Sequence, residues 1–204
     1  MVYTERTHWT AADLAALPDD GYHHELVKGR LIQIPPTTAD HGEASSDLDT
    51  ELRLYARRHG GHAYAAETGF NLTRPGETEE TVLGPDAAYI RAADVPTDVH
   101  GYVARAPDLA VEVTSASQFR PEMADKARLW LARGCRLVWV VWPRYRTIDV
   151  WHPGDREAHQ TLQPGDDLDG EDVLPGFRYP VASVFGQGGS SVFNGDEANG
   201  QARP

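Results

Sequence analysis

Residues 107–114 constrain the fold more than any other stretch of the sequence. Three apolar residues alternate there with four smaller or polar ones: Leu109, Val111 and Val113 with Asp108, Ala110, Glu112 and Thr114. Because successive side chains of a β-strand point to opposite faces, this alternation predicts a strand with one apolar face and a second face that carries two carboxylates. A carboxylate within so apolar a strand needs water, a cation or a hydrogen-bonded partner. The pattern leaves two interpretations open: Glu112 faces solvent, or Glu112 belongs to a site.

The two carboxylates of this strand cannot share one ion. Asp108 and Glu112 are four residues apart, so their Cα atoms are separated by ~13 Å at ~3.3 Å per residue, whereas an Mg–O bond is ~2.1 Å long. A partner of Glu112 must therefore come from a neighbouring strand, ~4.8 Å away. We expect Asp86, which begins the preceding predicted strand, or Glu25 in the first predicted hairpin. Asp108 is expected to cap the start of its strand or to lie outside the direct ligands.

The remaining patterns predict helices and strands that follow one another along the chain. They are a short helix after Thr10, a hairpin of residues 23–27 and 30–34, a helix from Asp40 to Gly60, extended segments at 63–72 and 85–90, a helix at 121–133, and strands at 137–142, 147–151, near 159–162 and near Phe177. Glu43, three residues after Asp40, predicts a capping box at the start of the long helix. The apolar run 137–142 indicates a central strand covered on both faces. This order favours an α/β (α+β-like) domain in which a mixed sheet is flanked by helices.

The composition is typical of a globular domain. The chain has 204 residues, of which 40% are hydrophobic and 25% charged. No apolar run is long enough to span a membrane, and the first residues are too polar for a signal peptide, so we expect a cytoplasmic protein without membrane association. We expect an N-terminal leader at 1–9, one domain at 10–185 and a disordered tail at 186–204, which is rich in Gly, Ser and Asn.

The formal net charge of −12 weighs against binding to nucleic acid. Proteins that contact phosphates usually carry a basic surface, because Lys and Arg supply most of the non-specific affinity. The acidity is equally expected of a protein that binds divalent cations, or of one that charge keeps in solution.

Two further side chains could join Glu112. Lys126 lies one to two turns into the helix that follows the strand, so its side chain could return over the strand; alternatively, it forms an ordinary surface pair with Glu122, worth ~0.2–0.5 kcal/mol. His41, near the start of the long helix, is either a site residue or an ordinary helix-terminal histidine. The sequence contains no H-E-x-x-H motif, no glycine-rich phosphate loop and no G-x-S-x-G motif, so a zinc protease, a phosphate-loop enzyme and a serine hydrolase lack support.

Several of these segments together resemble one family. They are residues 17–31, His41, Pro85-Asp86, 107–115, Lys126 and 174–177. In this order they resemble the motifs of the Uma2 family, a bacterial group of restriction-endonuclease-like proteins within the PD-(D/E)XK nuclease superfamily. The resemblance spans residues 10–185 approximately, and it implies a restriction-endonuclease-like core.

The resemblance assigns positions residue by residue. Asp86 resembles the Asp of the PD element, Glu112 the acid of the (D/E)XK element, and Glu25 the additional acid of the first hairpin. Thr114 stands where the superfamily has its lysine, and Lys126 resembles the relocated lysine that the family carries on the next helix. The sequence departs from the family pattern at three positions, where many relatives have Asp, Tyr and Asp: Glu122, Trp130 and Trp142.

The activity that the resemblance implies is hydrolysis of phosphodiester bonds in DNA by an Mg²⁺-dependent endonuclease, with Mn²⁺ as the alternative ion. Asp86, Glu112 and Glu25 would hold the metal. Lys126 would orient the attacking water or stabilise developing negative charge. His41 and Asp108 are supporting candidates. The alternative function is a catalytically weak or inactive nuclease-fold protein that binds a partner, and a homodimer is one oligomeric state to test.

Overall fold

A mixed six-stranded sheet forms the centre of the part of the chain that this computed structural model describes, residues 8–97, 100–115 and 118–186. In chain order the elements are α1 (Ala11–Ala15), β1 (His23–Val27), β2 (Arg30–Ile34), α2 (Ala39–His59), β3 (His62–Ala65), β4 (Phe70–Asn71), β5 (Val82–Leu83), β6 (Ala87–Ile90), β7 (Leu109–Val113), α3 (Arg120–Ala132), β8 (Leu137–Trp142), β9 (Thr147–Trp151), β10 (Gln160–Leu162), β11 (Asp167–Asp169) and β12 (Arg178–Pro180). Most of the predicted leader and tail, residues 1–7 and 187–204, lies outside the described residues.

The six-stranded sheet has the order β10-β9-β8-β7-β6-β3. Its central strands β7 and β8 run parallel, and α3 makes the crossover between them that a parallel pair requires. The other neighbours are antiparallel. β7 and β8 are buried along their whole length. A second sheet, β2-β1-β5-β4, carries the predicted hairpin, and β11 pairs with β12.

The alternation in β7 sorts its side chains between two helices. Leu109, Val111 and Val113 join one apolar cluster with the buried face of α2. Ala110 joins a second cluster with the apolar stripe of α3, which includes Met123. The second face of the strand is therefore covered by α3 rather than by solvent. No helix among the described residues is both long and apolar enough to cross a membrane.

Two local predictions are wrong, and two short strands were not predicted. The helix α2 begins at Ala39 and is preceded by Thr38, so Asp40 lies in the first turn and is not a capping residue. Residues 63–72 do not form one extended segment, because a turn divides them into β3 and β4, which belong to different sheets. The pattern also missed β5 and β11, whose two and three residues are too few to give a recognisable alternation.

Asp108 lies at the start of β7 and is bound by two arginines. Its Oδ1 accepts a hydrogen bond from Arg91 Nε at 3.1 Å, and its Oδ2 accepts one from the Arg91 backbone N at 3.0 Å and one from Arg105 Nη2 at 3.3 Å. Only 2% of the Asp108 side chain is exposed. These bonds tie the beginning of β7 to the chain that follows β6.

We expect Asp108→Ala to lower the free energy of unfolding by about 2 kcal/mol, because it removes a buried carboxylate from charged donors and a backbone N–H. Chemical denaturation followed by circular dichroism measures the change. Asp125→Ala is the matched control, since its side chain is 78% exposed and pairs with Arg128 on the surface; its cost should stay below about 0.5 kcal/mol. Equal losses in the two variants would contradict the structural role of Asp108.

Candidate active site

Lys126 joins two buried carboxylates between β7, α3 and β1. Its Nζ lies 2.8 Å from Glu112 Oε2 and 3.0 Å from Glu25 Oε1. The side chains of Glu112 and Glu25 are each 4% exposed, and that of Lys126 is 18% exposed. The interpretation in which Glu112 faces solvent is therefore wrong, and so is the one in which Lys126 is a surface partner of Glu122. We call Lys126, Glu112 and Glu25 the buried ion cluster.

The local patterns explain how these side chains meet. Glu112 follows Ala110 on the face of β7 that α3 covers, and it pairs with Val140 of β8 in the parallel ladder. On α3, Lys126 comes three residues after the buried Met123 and four residues before the buried Trp130. Residues at these spacings lie on one side of a helix, so the packing that buries the apolar stripe also turns Lys126 towards the sheet.

Trp130 is a site residue that the sequence analysis did not find. Its Nε1 donates a hydrogen bond to Glu112 Oε1 at 2.7 Å, and the indole is fully buried. Both oxygens of Glu112 thus have a donor, one from Trp130 and one from Lys126. A signal for this role was present, because a buried tryptophan usually needs a partner for its N–H and Trp130 lies one turn from Lys126.

Asp86 is hydrogen-bonded to the two residues of β7 that flank Glu112 in the chain. Its backbone N donates to Val111 O at 2.9 Å, and its Oδ2 accepts from Val113 N at 2.7 Å. Its Oδ1 lies 3.2 Å from Nε2 of His41, which is buried in the first turn of α2. Asp86 and Glu112 therefore belong to neighbouring segments of the sheet, and His41 reaches the same place from the opposite helix.

The charges of the site act on one another. Burial raises the pKa of Glu112 to about 7; Lys126 opposes this rise, and the nearby charges of Glu25 and Asp86 add to it. Burial acts to lower the pKa of Lys126, but Glu112 and Glu25 outweigh burial and raise that pKa. For His41, burial likewise acts to lower the pKa, and the hydrogen bond and charge of Asp86 raise it overall.

The donor chemistry of Asp86 and Glu112 fits a hard divalent cation. Carboxylate oxygens are the ligands that Mg²⁺ prefers, and three carboxylates here face one lysine and one histidine. Within the described residues, Glu25, Asp86 and Glu112 do not form a group of three whose ligand atoms all lie within 4.8 Å. Lys126 stands between Glu25 and Glu112, so the pair Asp86 and Glu112 is the part of the site suited to an ion. Asp108 does not join them, because its carboxylate binds the two arginines.

Comparison with known proteins agrees with this fold. A family model described as Uma2, "Putative restriction endonuclease", matches residues 11–182. The structure is similar to the crystal structure of a "putative nuclease belonging to DUF820" from Anabaena variabilis, with a TM-score of 0.69 and 18% sequence identity over 86% of this chain and 97% of that chain. The predicted fold class, a nuclease-like mixed sheet flanked by helices, is confirmed. A search of curated proteins finds no match.

Replacing Trp130 by Phe should expose the importance of its bond to Glu112. We expect Trp130→Phe to lower the free energy of unfolding by about 1–3 kcal/mol more than Trp139→Phe does, because a buried carboxylate oxygen of Glu112 loses its donor. Trp139→Phe is the matched control: Trp139 is also fully buried, but among the described residues its Nε1 has no hydrogen-bond partner. Urea unfolding of both variants measures the difference, and equal losses would argue against a specific role for Trp130.

Proposed function

We propose that this chain, which belongs to the Uma2 family of putative restriction endonucleases, is a divalent-metal-dependent endonuclease that hydrolyses phosphodiester bonds in DNA. One observation carries the proposal: an acid at the start of β6, an acid within β7 and a lysine of α3 come together although they are distant in the chain. A buried carboxylate with a raised pKa, such as Glu112, that lies beside other acids and a lysine is more typical of a functional site than of a structural core.

The chain supplies two groups for the ion and one positive charge beside them. Asp86 and Glu112 would hold the cation, with Mg²⁺ expected and Mn²⁺ as the alternative. When bound, such an ion polarises the scissile phosphate and lowers the pKa of an attacking water. Lys126, whose ammonium lies 2.8 Å from Glu112, would orient that water or stabilise negative charge as it develops on the phosphate.

Two other residues would hold these groups in position. Glu25 also binds Lys126, and its Oε1 accepts a hydrogen bond from the Gly84 backbone N at 2.9 Å. His41 would orient the Asp86 carboxylate through its Nε2. The side chains of Asp86 and Lys126 are each 18% exposed, which gives a substrate access to the edge of the site.

Cleavage of plasmid DNA tests the proposal. With Mg²⁺ or Mn²⁺ the purified protein should cut, and Glu112→Gln and Lys126→Met should each lower the initial rate at least about 100-fold, since each removes a charge at the reacting phosphate. Chelation of the metal should stop cutting. Glu122→Gln is the control, because Glu122 is exposed on the same helix one turn before Lys126.

The outcome separates the two candidate functions. Cutting that survives both Glu112→Gln and Lys126→Met would reject the assigned site. The net charge of −12 is the observation that favours the second candidate, a catalytically weak or inactive nuclease-fold protein that binds a partner. Absence of cleavage on any nucleic acid, together with no heat of Mg²⁺ or Mn²⁺ binding in calorimetry, would support that candidate.

A local surface of aromatic and arginine side chains could contact DNA despite the overall charge. It consists of Phe119, Arg120, Arg144 and Tyr145, and we call it the aromatic rim. Phe119 is 71% exposed and Tyr145 is 57% exposed. The guanidinium carbon of Arg120 lies 5.8 Å from the centre of the Tyr145 ring, and that of Arg144 lies 5.9 Å from it.

The aromatic rim lies at the same end of the sheet as the buried ion cluster. Phe119 directly precedes α3, seven residues from Lys126, which is about 10 Å along a helix. Tyr145 follows the end of β8, the strand that pairs with Glu112. Exposed aromatic rings stack on unpaired bases, and arginines contact phosphates, so the rim would hold the strand that enters the site.

DNA binding by the Lys126→Met protein, which avoids cutting, tests the rim. We expect Phe119→Ala and Tyr145→Ala each to weaken binding of single-stranded DNA about tenfold through lost stacking. Arg144→Ala should reduce the slope of log affinity against log salt by about 1. Fluorescence anisotropy at several salt concentrations measures both effects. Arg58→Ala is the control, because Arg58 is exposed and lies about 25 Å along α2 from His41, at the far end of that helix from the candidate active site. An equal loss of DNA affinity in Arg58→Ala would reject the rim as a specific contact.

A further inference from the structure

The connection from β9 to β10 carries a second group of side chains with metal-binding chemistry. His152 directly follows β9, Asp155 lies in the turn, and His159 directly precedes β10. One ligand atom from each of these three residues lies within 4.8 Å of the other two. We call them the His-Asp-His group.

This group is separate from the candidate active site. Trp151, next to His152, pairs with Val138 near the start of β8, whereas Glu112 pairs with Val140 and the aromatic rim follows the end of β8. Neither the nuclease chemistry proposed above nor the apolar core requires two histidines and an aspartate in this turn.

The spacing of the ligand atoms is close to that around one ion. His152 Nδ1 lies 3.6 Å from Asp155 Oδ2. Two ligands of a tetrahedral zinc ion with bonds of ~2.1 Å are ~3.4 Å apart, so this pair needs little movement. The His159 ring centre lies 4.6 Å from that of His152. Because His159 is exposed, its ring can rotate to complete the set.

A fourth residue prepares His152 for this role. The His152 Nε2 lies 2.9 and 2.8 Å from the two carboxylate oxygens of Glu171. A proton on Nε2 satisfies this contact and leaves the lone pair of Nδ1 directed to the Asp155 side. Metal-binding histidines commonly donate their second ring N–H to a carboxylate in this way, which fixes the tautomer and the ring orientation. The Asp155 carboxylate is held as well, since its Oδ2 accepts from the His152 backbone N at 2.8 Å.

We propose that His152, Asp155 and His159 bind one transition-metal ion of the zinc class, with Glu171 as the positioning residue of His152. Two imidazoles and one carboxylate suit Zn²⁺, and also Co²⁺, Ni²⁺ and Cu²⁺, better than Mg²⁺. Three protein ligands leave a fourth position for water. The bound ion closes the turn between β9 and β10 and, through Glu171, holds it against the segment that follows β11. A metal that binds the folded chain stabilises it.

Calorimetric titration of the full chain with Zn²⁺, without a polyhistidine tag, tests the proposal. The wild-type protein should bind one Zn²⁺ per chain at this group and unfold at a higher temperature with Zn²⁺ than without it. His159→Ala should weaken binding at least tenfold, because it removes a direct ligand. Glu171→Gln should weaken it by about 10–100-fold, as loss of a carboxylate partner of a metal-bound histidine does.

Matched variants distinguish this group from other binding sites. Glu157→Gln, in the same turn, and His62→Ala, on the strand β3 at the other edge of the sheet, remove exposed groups of the same types; both should keep the wild-type affinity within twofold. Glu112→Gln should also keep it, so failure of the nuclease proposal and failure of this one give different results.

Three results would overturn the proposal. They are the absence of saturable Zn²⁺ binding by the wild-type chain, an unchanged affinity in His159→Ala, and loss of binding in Glu112→Gln, which would assign the ion to the candidate active site at Asp86 and Glu112. Circular dichroism confirms that each variant is folded. If His159→Ala does not fold, Asp155→Asn and Glu171→Gln take its place, and wild-type affinity in both would reject the group.

Discussion

The ion pair between Lys126 and Glu112 is the interaction on which the rest of the site depends. A carboxylate inside the central strand is costly to bury, and it is tolerated because an ammonium lies 2.8 Å from one oxygen and the indole N–H of Trp130 lies 2.7 Å from the other. Both donors come from α3, so the charge of Glu112 requires that this helix pack where it does. Buried ion pairs of this kind add little stability compared with apolar residues. The proposed catalytic role therefore explains the buried ion pair at the centre of the sheet better than a contribution to stability does.

The two faces of β7 pack against different helices and have different roles. Leu109, Val111 and Val113 pack against α2 in the larger apolar cluster. The opposite face carries the small Ala110 beside Glu112, so α3 can approach closely enough for Lys126 and Trp130 to reach the carboxylate. One strand therefore supplies stability on one side and the candidate site on the other.

Two tryptophans satisfy buried acids of this chain. Trp130 donates to Glu112, and Trp142 donates from its Nε1 to Asp149 Oδ2 at 2.8 Å. Asp149 also accepts from Arg120 of the aromatic rim at 2.8 Å. The rim is thus anchored to a buried acid of β9, and an acidic protein presents a local aromatic and cationic surface beside its candidate active site.

The amino-acid sequence by itself determined the elements whose patterns are local: the alternation of 109–113, the apolar run of 137–142 and the stripe of α3. The rise per residue of a strand also showed that Asp108 and Glu112 cannot share one ion. The resemblance to the family predicted Asp86, Glu25 and Lys126 as site residues. Only the tertiary structure decided whether Lys126 pairs with Glu122 or turns inward, that Trp130 binds Glu112, and that Glu171 meets His152. These contacts join residues on different elements, and spacing along one element does not show which element packs against it. The two contacts of Glu112 form because α3 must bury its apolar face against the sheet.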